Sequence, residues 1–161
     1  MVATCLQYPV PLGTASTYAV LANTTVTNTG NTVLTGNLGI YPGTSSSITG
    51  FPPGTFTGTE NAGNATAQTA QANATTAFDN AAVSDRGGCT PVTISSLSGT
   101  LTPGLYASGS SMAVTGTLTL SGLGVFVFQM PSSTLTTTTF NVVLANGAIA
   151  ADIFWEVGSS A

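Results

Sequence analysis

The chain has 161 residues, of which 42% are hydrophobic and only 4% are charged. One basic residue stands against five acidic residues, and the net charge is −4. This balance excludes a nucleic-acid partner, which requires a basic surface opposite the phosphates. No run of about 18 apolar residues is present, so membrane insertion is not predicted. The hydrophobic content indicates a folded chain whose surface consists of Thr, Ser, Asn and Gly instead of ions.

The first part of the chain is predicted to contain short strands after an N-terminal arm at residues 1–8. Tyr18–Leu21 is a short apolar run, and two further strands are predicted at 24–30 and 32–40. Glycines separate these pieces at intervals of a few residues, which is typical of corners where the backbone needs positive φ or close approach. Residues 9–161 are therefore predicted to form a single β-domain.

A helix is predicted at about residues 60–84, between two β-rich regions. Alanine is the strongest helix former, and no proline interrupts this stretch. Helical spacing predicts one inward stripe that would let the helix lie close along the side of the β-body. The members of this stripe are Ala70, Ala74, Ala77, Phe78 and Ala81.

The second β-rich region contains the clearest strand pattern in the chain. In residues 114–121 apolar or glycine positions alternate with hydroxyl positions, which predicts one buried and one hydroxyl face. Val125–Phe128 is apolar throughout and is typical of a strand covered on both sides. Residues 134–140 are rich in threonine, and the last strand is predicted at Ile153–Val157.

These patterns together predict a mainly β fold, an irregular (discontinuous) β-solenoid or β-helix with one inserted α-helix along its side. Short, evenly spaced strands with glycine corners are typical of such wound structures. A Greek-key sandwich is the alternative, although a single long helix between two β-rich regions suits it less well.

The residue types exclude most enzymatic chemistry. The chain has no histidine, so Ser-His-Asp or Cys-His catalysis and histidine zinc sites are impossible, and two cysteines alone cannot hold structural zinc. Asp152 and Glu156 share one strand face, where paired carboxylates would suit sugar hydrolysis. The favoured interpretation is that these two carboxylates are ordinary solvated charges on an exposed edge. We predict a non-enzyme with no catalytic residues, no metal and no cofactor.

The two cysteines, Cys5 and Cys89, favour a disulfide in a secreted, extracellular protein. Such a bond would tie the N-terminus to the loop after the helix. The alternative is a pair of small buried thiols.

Six segments occur in this order along the chain: Val10–Ala22, Val26–Gly43, Gly50–Gly54, Ala77–Ala82, Leu101–Tyr106 and Ile153–Val157. Together they resemble the microbial ice-binding (antifreeze) protein family. The resemblance implies the discontinuous β-solenoid with a helix alongside, and adsorption to ice through a flat Thr/Ser/Asn-rich face. Family domains continue beyond the final Phe-Trp-x-Val strand, so residues 9–161 are expected to lack the family's C-terminal coils.

Two kinds of sequence feature supply candidate ice-binding residues. The resemblance points to Thr-Ala/Gly-x-Thr/Asn motifs, and the strand pattern points to rows of outward threonines. Such rows would form a rigid grid of methyl and hydroxyl groups, although each could also be an ordinary solvated face. The candidates are Thr14, Thr17, Thr29, Asn31, Thr32, Thr115, Thr117, Thr119, Thr134, Thr136 and Thr138.

Ice, or ordered water, is therefore the predicted partner, in antifreeze action or inhibition of ice recrystallisation. A structural subunit of an extracellular filament or surface layer is the alternative. Its copies would stack or exchange strands through an open solenoid end or the N-terminal arm. A carbohydrate-binding module comes last, since Trp155 and a few tyrosines are the available stacking groups.

Overall fold

The computed structural model describes residues 5–160, and the strands pair in parallel in every sheet of this range. Pro11–Ala77 form one compact unit, which we call the N-terminal unit. Residues 78–160 with 5–10 form the other, the C-terminal unit. The predicted arm lies partly outside the described residues, and the single-domain assignment of 9–161 stays a prediction.

The N-terminal unit is a β-solenoid in which successive coils place strands on three sheets. The first coil contributes β1, β2 and β3, the second contributes β4, β5 and β6, and β7 begins a third. The sheets have the orders β1-β4-β7, β2-β5 and β3-β6. The bounds are β1 Tyr18–Ala22, β2 Val26–Thr27, β3 Val33–Leu34, β4 Asn37–Ile40, β5 Ile48–Thr49, β6 Thr55–Phe56 and β7 Glu60–Ala62.

The C-terminal unit repeats this winding with longer strands that alternate between two sheets. One sheet has four strands in the order β14-β12-β10-β8, and the other has three in the order β13-β11-β9. The bounds are β8 Val92–Thr93, β9 Ser96–Leu101, β10 Gly104–Ala107, β11 Met112–Ser121, β12 Phe126–Met130, β13 Leu135–Ala145 and β14 Ile153–Val157.

An aromatic ladder fills part of the core between these two sheets. Tyr106, Phe128 and Trp155 are neighbours in register on β10, β12 and β14. Their rings are stacked, with centroids 5.3 Å apart in the first pair and 4.2 Å apart in the second. Parallel strands in register bring identical positions together, so one inward aromatic per coil builds a continuous stack.

The strand patterns read from the sequence are confirmed in this unit at every buried position except Gly116. Val114, Leu118 and Leu120 of β11 are buried, whereas Thr117 is exposed and Thr119 is half-buried. Gly116, which the alternation placed on the buried face, is exposed because the strand is irregular at this residue. Every residue of β12 is buried, as expected for a strand covered on both sides.

The helix, α1, is shorter than predicted. It spans Ala65–Ala81, whereas the sequence predicted about 60–84. Glu60–Ala62 instead pair with β4, because parallel backbone hydrogen bonding outweighs their helix propensity. The Asn64 side chain begins the helix by accepting the N–H of Ala67 at 2.9 Å. No helix among the described residues has the length and apolarity needed to cross a bilayer.

The inward stripe of α1 consists of alanines alone. Ala67, Ala70, Ala77 and Ala81 are buried, but Phe78 is 43% exposed, so its predicted inward position is wrong. Phe78 follows Ala77 directly and is rotated about 100° around the helix axis. Gln129 of β12 donates to the carbonyl oxygens of Ala81 (2.6 Å) and Val83 (2.7 Å), which supplies hydrogen-bond donors at the end of the helix.

Replacing Phe128 by alanine is expected to destabilise the fold by about 3–5 kcal/mol, because it leaves a cavity in the middle of the aromatic ladder. The matched control, Phe78→Ala, is expected to change stability by less than about 1 kcal/mol. Chemical denaturation followed by circular dichroism measures both. Equal losses of stability in the two variants would contradict the conclusion that Phe128 is in the core and Phe78 is on the surface.

Candidate functional site

The outer side of the three-stranded sheet is an open, ion-free surface, which we call the β9–β11–β13 face. Strands β9, β11 and β13 contain no charged residue. Parallel register places Thr100, Thr119 and Val143 side by side in one row across the three strands. The other outward positions in register are Ser96, Ala113, Thr117, Thr136 and Asn141.

A β-bulge divides this face into two segments. Val114 pairs with Thr137 and Gly116 pairs with Phe140, so β13 has one more residue than β11 between these pairs. Gly116 has φ of 68°, which a glycine adopts without strain. The bulge leaves Thr115 and Thr138 exposed at the break, outside the regular rows.

The two threonine rows predicted from the sequence lie on neighbouring strands. Thr115, Thr117 and Thr119 belong to β11, and Thr136 and Thr138 belong to β13. The sixth member of these rows, Thr134, precedes β13 and is half-buried, so it does not extend the face.

Sequence reasoning missed Ser96, Thr100, Asn141 and Val143, which complete the rows. The alternation around the buried Leu97 is a weak signal for the hydroxyls of β9. Nothing in the sequence gives the register that sets Asn141 beside Thr117, because that register depends on a bulge.

The motif at Thr14 to Thr17 forms a 3-10 turn, Gly13–Thr17, instead of a flat strand. Its hydroxyls are engaged inside the N-terminal unit. Thr14 Oγ1 accepts from Asn73 Nδ2 at 2.7 Å, and Thr17 Oγ1 accepts from Asn37 Nδ2 at 3.1 Å. These internal bonds use the hydroxyls that an outward binding row would need.

The motif at Thr29 to Thr32 forms an exposed corner between β2 and β3. Thr32 Oγ1 donates to Asn28 Oδ1 at 2.6 Å, and Gly30 has φ of 96°. Thr29 and Asn31 are exposed but lie on no strand. The corner belongs to the N-terminal unit, whereas both threonine rows belong to the C-terminal unit.

The outer side of the four-stranded sheet is covered. Leu105 and Val127 point outward from it and pack in an apolar cluster with Val125, Cys89 and Cys5. Cys5 and Cys89, the predicted pair, form a disulfide with their Cα atoms 5.7 Å apart. In the C-terminal unit, therefore, the β9–β11–β13 face is the sheet surface left open to solvent.

The two acids near the chain's last strand do not form an exposed pair. Asp152 lies in the 3-10 turn before β14, and Glu156 lies on β14 and is only 1% exposed. The prediction of two solvating charges is therefore wrong for Glu156. Its Oε2 accepts the N–H of Met130 at 3.1 Å, and its Oε1 is buried without a hydrogen-bond partner. Burial raises the pKa of Glu156, and the Met130 hydrogen bond offsets part of this effect.

No other chemistry is assembled in the described part of the chain. Between residues 5 and 160 no group of three His, Cys, Asp or Glu side chains is placed to hold a metal ion. A cavity of about 370 Å³ in the N-terminal unit is lined by hydroxyl and amide side chains. The phenol oxygen of Tyr18, which lines it, is buried without a partner, and burial raises the pKa of this group.

The fold and this face define a class: β-solenoid proteins that present a flat, charge-free face of short polar side chains. The family model for ice-binding-like proteins matches residues 20–161. An ice-binding protein from Nostoc sp. is 42% identical over 93% of this chain and 56% of its own length. One from Typhula ishikariensis is 34% identical over 94% of this chain and 70% of its own length.

Solved structures agree with these sequence matches. An ice-binding protein from an Antarctic biological consortium has a TM-score of 0.89 and 47% identity, over 98% of this chain and 72% of that one. An ice-binding protein from Arctic yeast has a TM-score of 0.80 and 30% identity, over 93% of this chain and 73% of that chain.

The chain therefore belongs to the ice-binding-like family. Its resemblance to microbial ice-binding proteins and its β-solenoid fold with one long helix are confirmed. Membership of this non-enzymatic family also agrees with the prediction of a non-enzyme. The chain spans just over half the length of the Nostoc relative, 56%.

Glu156 is expected to make folding stability depend on pH. Its pKa is raised in the folded state, so the folded protein binds this proton more tightly than the unfolded chain. The contribution of Glu156 to folding stability is therefore most favourable at or below about pH 4.5, the ordinary pKa of this carboxyl. It declines as the pH rises through the folded-state pKa.

The variant Glu156→Gln is expected to be more stable than the parent at pH 7 and to lose this part of the pH dependence. Denaturation at pH 5 and pH 7 measures both proteins, with Asp152→Asn, a carboxyl that is only half-buried, as the control. If the parent were more stable than Glu156→Gln at pH 7, the predicted direction of the pH effect would be wrong.

Proposed function

We propose that this protein binds ice through the β9–β11–β13 face, as an extracellular antifreeze protein and inhibitor of ice recrystallisation. One observation carries the proposal: in the C-terminal unit this face is the uncovered sheet surface, and its in-register rows contain small side chains without charge.

The spacing of the face supports an ordered solid as its ligand. Neighbouring strands lie about 4.8 Å apart, and alternate residues along a strand repeat at about 6.6 Å. Rows such as Thr100, Thr119 and Val143 therefore form a two-dimensional grid. Threonine methyls exclude disordered water, while the hydroxyls hydrogen-bond to water molecules at lattice positions.

The rigidity of the face lowers the entropic cost of binding. β-Branched side chains are restricted in χ1, and the central strand β11 is hydrogen-bonded on both sides. A surface ordered before contact loses little side-chain freedom on adsorption. Charged groups would hold their own hydration shells, and none lies on these strands.

The similar proteins favour the same ligand. Those from Nostoc sp. and Typhula ishikariensis are named ice-binding proteins, and the structure from Arctic yeast is described in terms of antifreeze activity. The disulfide between Cys5 and Cys89 favours an oxidising, extracellular location, since such bonds are rare in the cytosol.

Thermal hysteresis and ice-crystal shaping test the proposal. Replacing Thr117 by tyrosine puts a bulky ring in the middle of the flat face and is expected to remove most of the activity, because the face no longer fits a lattice plane. The matched control is Thr76→Tyr on the exposed side of α1, which is expected to keep parental activity. Faceted crystals from both variants would reject this face, and unshaped crystals from the parent would reject ice binding.

Self-assembly is the second candidate function, and one observation favours it. Strand β13 is an edge of its sheet, and Val142, Val143 and Leu144 on it are 40–44% exposed. An exposed apolar edge is a template for strand pairing with another copy. Sedimentation velocity tests it: a monomer across the concentration range would reject assembly, and a concentration-dependent series would support it.

A further inference from the structure

The chain's single basic side chain is buried in a cage of neutral oxygens. Arg86 is 8% exposed and lies in the 3-10 turn Arg86–Gly88, after the end of the helix. Its guanidinium donates to the carbonyls of Tyr8 (2.6 Å) and Pro9 (3.1 Å). It also donates to the side-chain oxygens of Gln7 and Asn80, both at 3.1 Å.

Three of these four acceptors belong to one segment, residues 5–10, which we call the strap. The strap has no regular secondary structure. Gln7 also donates from Nε2 to the main-chain carbonyl of Arg86 at 3.2 Å, so its side chain both accepts from the guanidinium and donates to the Arg86 backbone. We call these bonds between the strap and Arg86 the polar clamp. Next to this polar clamp, the Cys5–Cys89 disulfide joins the strap covalently to the same turn region.

The clamp has a consequence for proteolysis, because Arg86 is the only arginine or lysine in the sequence. A protease that cleaves after basic residues therefore has a single target, the Arg86–Gly87 bond. Such a protease needs an extended strand of substrate and a free guanidinium. Here the guanidinium is caged, and the turn is closed by bonds from Gly88 N to Asp85 O (2.7 Å) and Cys89 N to Arg86 O (3.4 Å).

We propose that the strap is a redox-controlled latch that hides a single cleavage site, Arg86–Gly87, from arginine-specific proteases. With the disulfide formed, the strap is fixed over Arg86. Reduction by a dithiol breaks the S–S bond: two electrons and two protons give two cysteine thiols, and the dithiol is oxidised to its own disulfide. The strap is then held only by the polar clamp and by the packing of Cys5 and Val10, and its opening exposes Arg86.

The structure makes this opening local. The strap forms no strand with the sheets, and none of its residues takes part in a strand pairing or in the aromatic ladder. The disulfide closes a sequence separation of 84 residues, so its loss greatly increases the freedom of the strap's end. Cleavage of a locally opened site follows the population of the open form.

Limited trypsin digestion tests the latch without reductant, which would damage the protease. The oxidised parent is compared with Cys5→Ser/Cys89→Ser, a mimic of the reduced state. The double variant is expected to be cut at Arg86–Gly87 at least about tenfold faster, into fragments 1–86 and 87–161. Mass spectrometry identifies the fragments. The same double variant with Arg86→Gln is the specificity control and is expected to remain whole.

Fluorescence of Trp155, the only tryptophan, separates local opening from unfolding. Cleavage of the double variant while Trp155 emission stays native supports the latch. The proposal is overturned by a double variant that resists trypsin like the parent, by an oxidised parent cut equally fast, or by a double variant whose Trp155 emission shows that the core has unfolded. None of these outcomes depends on whether the chain binds ice.

Discussion

In-register parallel stacking of coils is the constraint on which the rest of this structure depends. Each strand hydrogen-bonds to the strand one coil away, so outside the β-bulges a residue has the equivalent position of the next coil beside it. An inward position must then be apolar in every coil, which produces the ladder of Tyr106, Phe128 and Trp155. An outward position repeats in the same way, so a single outward threonine becomes part of a row.

The corners make this stacking possible, and polar side chains stabilise them. Asn28 donates from Nδ2 to the carbonyls of Gly30 and Gly50, both at 2.9 Å, and thereby joins the corners of two successive coils. Gly50 needs its φ of 83° at this point, and a side chain there would collide with the Asn28 backbone. A half-buried amide thus makes the link between coils for which a more highly charged protein could use an ion pair.

Covering one sheet leaves the other as the open sheet surface of the C-terminal unit. The helix end, held by Gln129, and the strap, held by Cys89 and Arg86, lie on the outer side of the four-stranded sheet. The β9–β11–β13 face has no such cover.

Composition and local periodicity determined the favoured fold class, the alternation around Leu118 and Leu120, the apolar run of β12 and the absence of histidine chemistry, and they favoured the Cys5–Cys89 disulfide over free thiols. Tertiary structure decided the rest. Residues Glu60–Ala62 became a strand instead of helix because a neighbouring coil offered backbone partners. Thr14, a candidate from the sequence, has its hydroxyl bonded to Asn73 within its own unit. Asn141, which was not a candidate, lies beside Thr117 because of the register after the bulge. Which threonines share a surface depends on register between distant strands, and no local pattern encodes that register.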